Sequence, residues 1–157
     1  MRSRIPAIIL LAATLIGGSA MAAEISLVGT WKLDVAKSKF SPGPAPKSAT
    51  RVYTESADGE VLDQKAVGAD GKEVSFHSGP YKADGKSYPE TGSTGAVSSL
   101  MAKAVNARTW NFTLMSAGKV VATVHRVLSA DGKMLTVHES GTENGIHYDD
   151  TSVFMRQ

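Results

Sequence analysis

Side chains able to grip a polar or charged molecule collect in the later part of this 157-residue chain: Arg108, Trp110, Arg126, Glu139, Tyr148 and Asp150. A guanidinium is a planar fork that matches a carboxylate, and carboxylates beside a phenol supply an acid and a base. If these groups share an inward face they must pair, because an isolated buried charge costs several kcal/mol. Three readings follow: a structural Arg–carboxylate network, an anchor for the polar end of an otherwise apolar ligand, or an acid–base centre with an anion binder.

No recognised catalytic motif stands behind the third reading. The chain has no Gly-x-Ser-x-Gly elbow, phosphate loop, dinucleotide fingerprint or His-Glu-x-x-His. Ser116 and Lys119 have Ser-x-x-Lys spacing, but they flank a hairpin turn. His125 and His138, with His147 and Asp149 on the next strand, read as surface residues rather than metal ligands. Asn111-Phe112-Thr113 matches a glycosylation sequon in mid-strand and carries no weight here. Neither a cofactor nor a metal is expected.

The elements that must position the polar group are strands. Turn signals recur at Ala57-Asp58-Gly59, Ala69-Asp70-Gly71, Ala83-Asp84-Gly85, Ala117-Gly118, Ala130-Asp131-Gly132 and Glu143-Asn144-Gly145. Asp-Gly and Asn-Gly between β-branched runs predict hairpins, since a type I′ turn needs positive φ twice. Candidate strands are Leu27–Asp34, Ala49–Ser56, Val61–Val67, Glu73–His77, Val97–Lys103, Arg108–Leu114, Val120–Leu128, Met134–Glu139 and Ile146–Met155. This is an all-β antiparallel meander of about eight to ten strands. Ser41-Pro42-Gly43-Pro44-Ala45-Pro46 reads as a stiff connection.

Two-residue loops at Asp131-Gly132 and Asn144-Gly145 would set Arg126 opposite Val137, Leu128 opposite Leu135, Leu135 opposite Phe154, and Glu139 opposite Asp150. One face then collects Val124, Leu128, Leu135, Val137, Tyr148 and Phe154. A three-residue loop ending in Gly118 would place Trp110, Phe112 and Leu114 on that same face. A two-residue loop would turn them outward, so the hydrophobic pattern selects the three-residue loop, with Gly118 at its left-handed position.

Leu27-Val28-Gly29-Thr30-Trp31-Lys32-Leu33 resembles the Gly-x-Trp opening of lipocalins and fatty-acid-binding proteins, and the chain as a whole resembles bacterial exported lipocalin-like proteins. The second likeness rests on Gly118-Lys119-Val120-Val121 and on the run from Arg126 to Val137. The resemblance implies a lipocalin-like barrel, with Trp31 closing one end and Arg156 or Arg126 packed across it. It brings no settled activity. The chain departs from fatty-acid-binding proteins in having only the short, Pro-rich Ser38 to Lys47 where they insert two helices. It also lacks the lipocalin disulfide, having no Cys.

The N-terminus has Arg2 and Arg4, an apolar run from Ile5 to Ile16, and Ala20-Met21-Ala22, which together make a secretory signal removed after about residue 23. That leaves residues 24–157 as one exported domain, periplasmic or extracellular. The two basic residues of the signal account for the whole +2 formal charge, and a neutral remainder excludes nucleic acid as a partner. The apolar run is too short to span a bilayer, and no Cys is present for a lipid anchor. The expected function is non-enzymatic binding of a small, largely apolar or carboxylate-bearing ligand inside the barrel. The alternative is a structural or protein-interaction domain with a filled interior, which an eight-strand barrel permits.

Overall fold

The structure, a computed structural model, describes residues 26–90, 92 and 97–157. The expected signal segment lies outside the described residues. Ten strands follow in order: β1 (Gly29–Leu33), β2 (Ser48–Ser56), β3 (Gly59–Val67), β4 (Glu73–Tyr81), β5 (Asp84–Pro89), β6 (Ser99–Asn106), β7 (Thr109–Ser116), β8 (Lys119–Leu128), β9 (Met134–Glu143) and β10 (Ile146–Arg156). All belong to one antiparallel sheet in the order β4-β3-β2-β1-β10-β9-β8-β7-β6-β5. The sheet curls into a barrel whose ladder is continuous around the wall except between β4 and β5. A hydrogen bond from the Ser78 hydroxyl to Glu90 bridges that seam at 2.7 Å. The fold class is the all-β meander expected from the turn spacing.

The C-terminal pairings are the expected ones, although the β8–β9 connection is not a two-residue loop: Ser129 N–H donates to Met134 C=O at 2.8 Å, Gly132 N–H donates to Ser129 C=O at 3.0 Å, and of Asp131 and Gly132 only the glycine has positive φ. Leu128 faces Leu135, Arg126 faces Val137, His125 faces His138, and Val124 faces Glu139. Leu135 faces Phe154, Val137 faces Ser152, and Glu139 faces Asp150. Asn144 and Gly145 both have positive φ, +51° and +80°, as a type I′ turn demands.

Three further features depart from expectation. The β7–β8 loop is two residues long, not three: Ser116 pairs with Lys119, and Ala117 and Gly118 have φ of +47° and +76°. A bulge at Val121 supplies the extra residue, because Met115 pairs with Val120 while Leu114 pairs with Ala122. Phe112 therefore still lies in the core, with Trp110 and Leu114 packed against it. Asp84-Gly85 is not a turn but the start of β5, a polar and mostly exposed strand that hydrophobic patterning passes over. Val97–Lys103 was expected as one strand; the strand observed there runs later, from Ser99 to Asn106.

The connection after β1 makes a single 3-10 turn at Val35–Lys37 and then lies along β10. There Lys39 and Thr151 exchange backbone hydrogen bonds at 2.7 Å, and Asp149 N–H donates to Ser41 C=O at 2.8 Å. These contacts continue the β1 side of the wall where β1 itself has ended.

The interior divides into two clusters. The larger contains Trp31, Tyr53, Leu128, Leu135 and Phe154, all essentially without exposure, together with Leu33, Leu62 and Val137. The smaller contains Tyr81, Leu100, Ala102 and Phe112. Trp110 and Val124 pack against both. The space between the clusters is a cavity lined by residues of both.

Candidate functional site

Two strands on opposite walls build the polar centre of the barrel. Arg126 on β8 is 3% exposed. Its Nη1 donates to Glu60 Oε1 at 2.7 Å and its Nη2 to Glu60 Oε2 at 3.2 Å, a two-pronged pair across the barrel between residues 66 apart in sequence. Glu60 is brought to this point by a pinch between β3 and β4. It pairs with Tyr81, after which β4 bulges at Gly79-Pro80 before Ser78 meets Leu62. A Cβ on Gly59 would run into the Tyr81 carbonyl oxygen, and one on Gly79 into that of Glu60. Both glycines also have φ that L side chains avoid, +130° and +107°. They let the strands approach closely enough for the Tyr81 hydroxyl to donate to Glu60 as well.

The guanidinium lies among three rings, 5.1 Å from the Tyr53 centroid, 4.9 Å from Trp110 and 4.6 Å from Phe112. Burial opposes its charge, but Tyr81, Tyr53 and Glu60 outweigh burial and hold Arg126 protonated. Burial also pushes the Tyr81 phenol well above its usual range, with Glu60 adding to the effect against the opposing pull of Arg126. Tyr81 therefore remains a donor.

On one side of this centre lies a central cavity of about 290 Å³. Leu62, Phe76, Leu100, Phe112, Leu114, Val124 and Val137 form its apolar wall, while Arg51, Gln64, Ser78, Tyr81, Glu90, Arg126 and Glu139 present polar atoms. A side cavity of about 180 Å³ under Phe40 and Pro46 shares Arg51, Gln64, Val137 and Glu139 with it. On the other side, at the barrel end near Leu27 and Val28, a recess of about 420 Å³ is lined by Glu60, Tyr81, Tyr53 and Trp110. The Arg126–Glu60–Tyr81 centre is thus a partition between the central cavity and this recess.

Of the residues singled out in the sequence, the structure gathers some and separates others. Arg126 and Trp110 stack together. Glu139 lines the central cavity, but its hydrogen-bond partner is the Tyr148 hydroxyl at 2.8 Å rather than Arg126. Asp150 lines the side cavity and accepts the Ser41 N–H at 2.9 Å. Arg108 sits in the β6–β7 turn, where its C=O accepts the Leu128 N–H at 2.8 Å, and it lines none of the three cavities described. The expected single group is divided among four places. Sequence reasoning missed Glu60, Tyr81, Tyr53, Arg51 and Glu90.

Trp31 and Arg156 face each other across the β1–β10 ladder, with the Arg156 guanidinium 4.3 Å over the indole. The indole N–H donates to Leu27 C=O at 2.9 Å. Arg156 also donates to Gly132 C=O at 2.7 Å, to Val28 C=O at 2.8 Å and to Ser26 C=O, so one side chain ties the segment before β1 and the β8–β9 turn to β10 at this end of the barrel. His125 and His138 share an outer face but bond elsewhere, to Asn111 at 2.7 Å and Thr151 at 3.2 Å. Among the described residues, no group of three His, Asp or Glu is placed to hold a metal ion.

No family model matches the chain, and no curated protein matches it. Among solved structures, the siderocalin Ex-FABP, described as functioning through dual ligand specificities, aligns over 83% of this chain and 73% of its own, with 11% identity and a TM-score of 0.38.

The phenols make a prediction about alkaline pH. Tyr81 is raised chiefly by burial, and Tyr148 is raised by burial and then by the Glu139 carboxylate. Their folded pKa values exceed the unfolded value of about 10. The stability they contribute is therefore full below that pH and is lost as pH rises above it. Ultraviolet titration should show Tyr81 and Tyr148 still protonated where free phenols have ionised, until the barrel unfolds in base. Full ionisation by about pH 10.5 with the fold intact would contradict the burial of Tyr81.

Proposed function

We propose that this protein is an exported, non-enzymatic carrier or scavenger that binds a small, largely apolar molecule in the central cavity. The observation that supports this reading is the gap of about 290 Å³ between two core clusters, walled mainly by Leu, Val and Phe and carrying a few convergent polar groups. Small-molecule sites have this composition, and the volume lies at the small end of their range. The large aromatics Trp31 and Tyr53 pack within the larger cluster and leave the space beside Leu100 and Val124 open.

Native mass spectrometry of the protein purified from its own host, followed by organic extraction, tests the reading. A retained apolar molecule is the expected result. Leu100→Trp should abolish retention and leave the melting temperature unchanged or higher, because the indole fills existing space instead of overpacking a tight core. A clean apo mass, together with indifference to a panel of apolar dyes, would refute binding. The search would then move to a protein partner.

A further inference from the structure

Among the described residues, two buried polar atoms on the wall of the central cavity have no partner: Glu90 Oε1 and Arg126 Nε. They are not equivalent. The charge on Arg126 is already matched, since both of its Nη atoms are bonded to Glu60. Glu90 has one oxygen on the Ser78 hydroxyl at 2.7 Å and makes no ion pair among the described residues. Glu139, the other carboxylate on this wall, is bonded to a neutral phenol. The remaining cation on this wall is Arg51, which lines both the central and the side cavity; its Nε donates to Gln64 at 2.5 Å, its guanidinium lies 4.6 Å over the Phe154 ring, and it makes no ion pair among the described residues.

With Arg126 matched by Glu60, the cavity wall carries two carboxylates, Glu90 and Glu139, against one further cation, Arg51, and so holds a surplus of one negative charge beside the open Glu90 oxygen. A carboxylate seated beside Arg126 would find that cation neutralised and would meet Glu90 and Glu139 across low-dielectric space, where like charges repel strongly. A buried acceptor left without a donor is costly, and a ligand that brings the donor recovers that cost.

We propose that the polar group of the bound molecule is a hydrogen-bond donor without negative charge, an amine or alcohol on an apolar body, that donates to Glu90 Oε1. The inference rests on the cavity being a binding site. It assigns Glu90 as the residue that sets specificity and excludes fatty-acid-type carboxylates.

Titration calorimetry with decylamine, decanol and decanoate at neutral pH tests it. The amine and the alcohol should bind at least about tenfold more tightly than the carboxylate, the size expected for one unsatisfied buried polar group. Glu90→Gln, with its melting temperature checked against the parent, should weaken the amine about tenfold and improve decanoate. Should that variant not fold, the parent's ranking of the three probes decides alone. Decanoate binding as well as or better than the others, or a ranking unmoved by Glu90→Gln, would overturn this inference while leaving the binding site itself standing. Failure of all three probes together with a clean apo mass would overturn both.

Discussion

Glu60→Ala lowers the unfolding free energy by about 3 kcal/mol and the melting temperature by about 10 °C. The magnitude comes from what the substitution leaves behind rather than from what it removes. Arg126 is 3% exposed and held charged by its surroundings, and Glu60 is the sole carboxylate paired with it among the described residues. Without Glu60 the guanidinium stays buried with only three aromatic faces and a phenol oxygen for company. Cation–π contacts, each worth about 0.5 to 2 kcal/mol, do not replace a two-pronged carboxylate. Removing both charges together, as Arg126→Met with Glu60→Leu, should restore stability to within about 1 kcal/mol of the parent, because a buried ion pair and a well-packed apolar pair of similar volume are often nearly equal. Urea unfolding of the three proteins measures this. A Glu60→Ala midpoint equal to the parent's would mean that Arg126 reaches water, which is incompatible with its place in the partition.

Trp31→Ala costs about 3 to 5 kcal/mol, the range for removing a large aromatic from a packed core. Trp31 has no solvent exposure and belongs to the larger cluster with Leu27, Leu128 and Phe154. Its loss also strips Arg156 of the ring it lies over and leaves Leu27 C=O without the indole donor. Trp31→Phe keeps a ring but not the N–H, so it should fall between the parent and the alanine variant. A cycle combining Trp31→Phe with Arg156→Ala should show coupling, since both changes act on one stacked pair. Domain stability is generally about 5 to 15 kcal/mol, so Trp31→Ala alone takes about a fifth or more of it. A loss under about 1 kcal/mol would show that this end of the barrel is dispensable.

The two residues at risk in these experiments differ in how visible they were beforehand. Trp31 and Arg156 were named from a short motif and from their places at the two ends of the chain. Glu60 was not named, because the β2–β3 hairpin around it carries only turn chemistry and a mixed pattern of polar and apolar residues. Nothing within ten residues of Glu60 says that its partner lies on β8, and nothing near Arg126 says that Glu139, its neighbour on the adjacent strand, bonds elsewhere. Gly59 and Gly79 were the available signal, but a glycine in a strand announces a close approach without saying what approaches.

Local chemistry accounts for what could be read directly. Asn144-Gly145 and Asp131-Gly132 prescribe turns, turns prescribe register, and a period of two then assigns every side chain from Val124 to Phe154 to a face. Even where the β7–β8 loop length was misjudged, the hydrophobic pattern kept Phe112 inside and a bulge at Val121 absorbed the difference. The polar edge strand β5, the cross-barrel pair of Arg126 with Glu60, and the unpaired oxygen of Glu90 arise only when a flat meander curls until its distant strands face each other. That closure joins residues with no relation along the chain, and the volume it encloses depends on how their side chains meet in three dimensions.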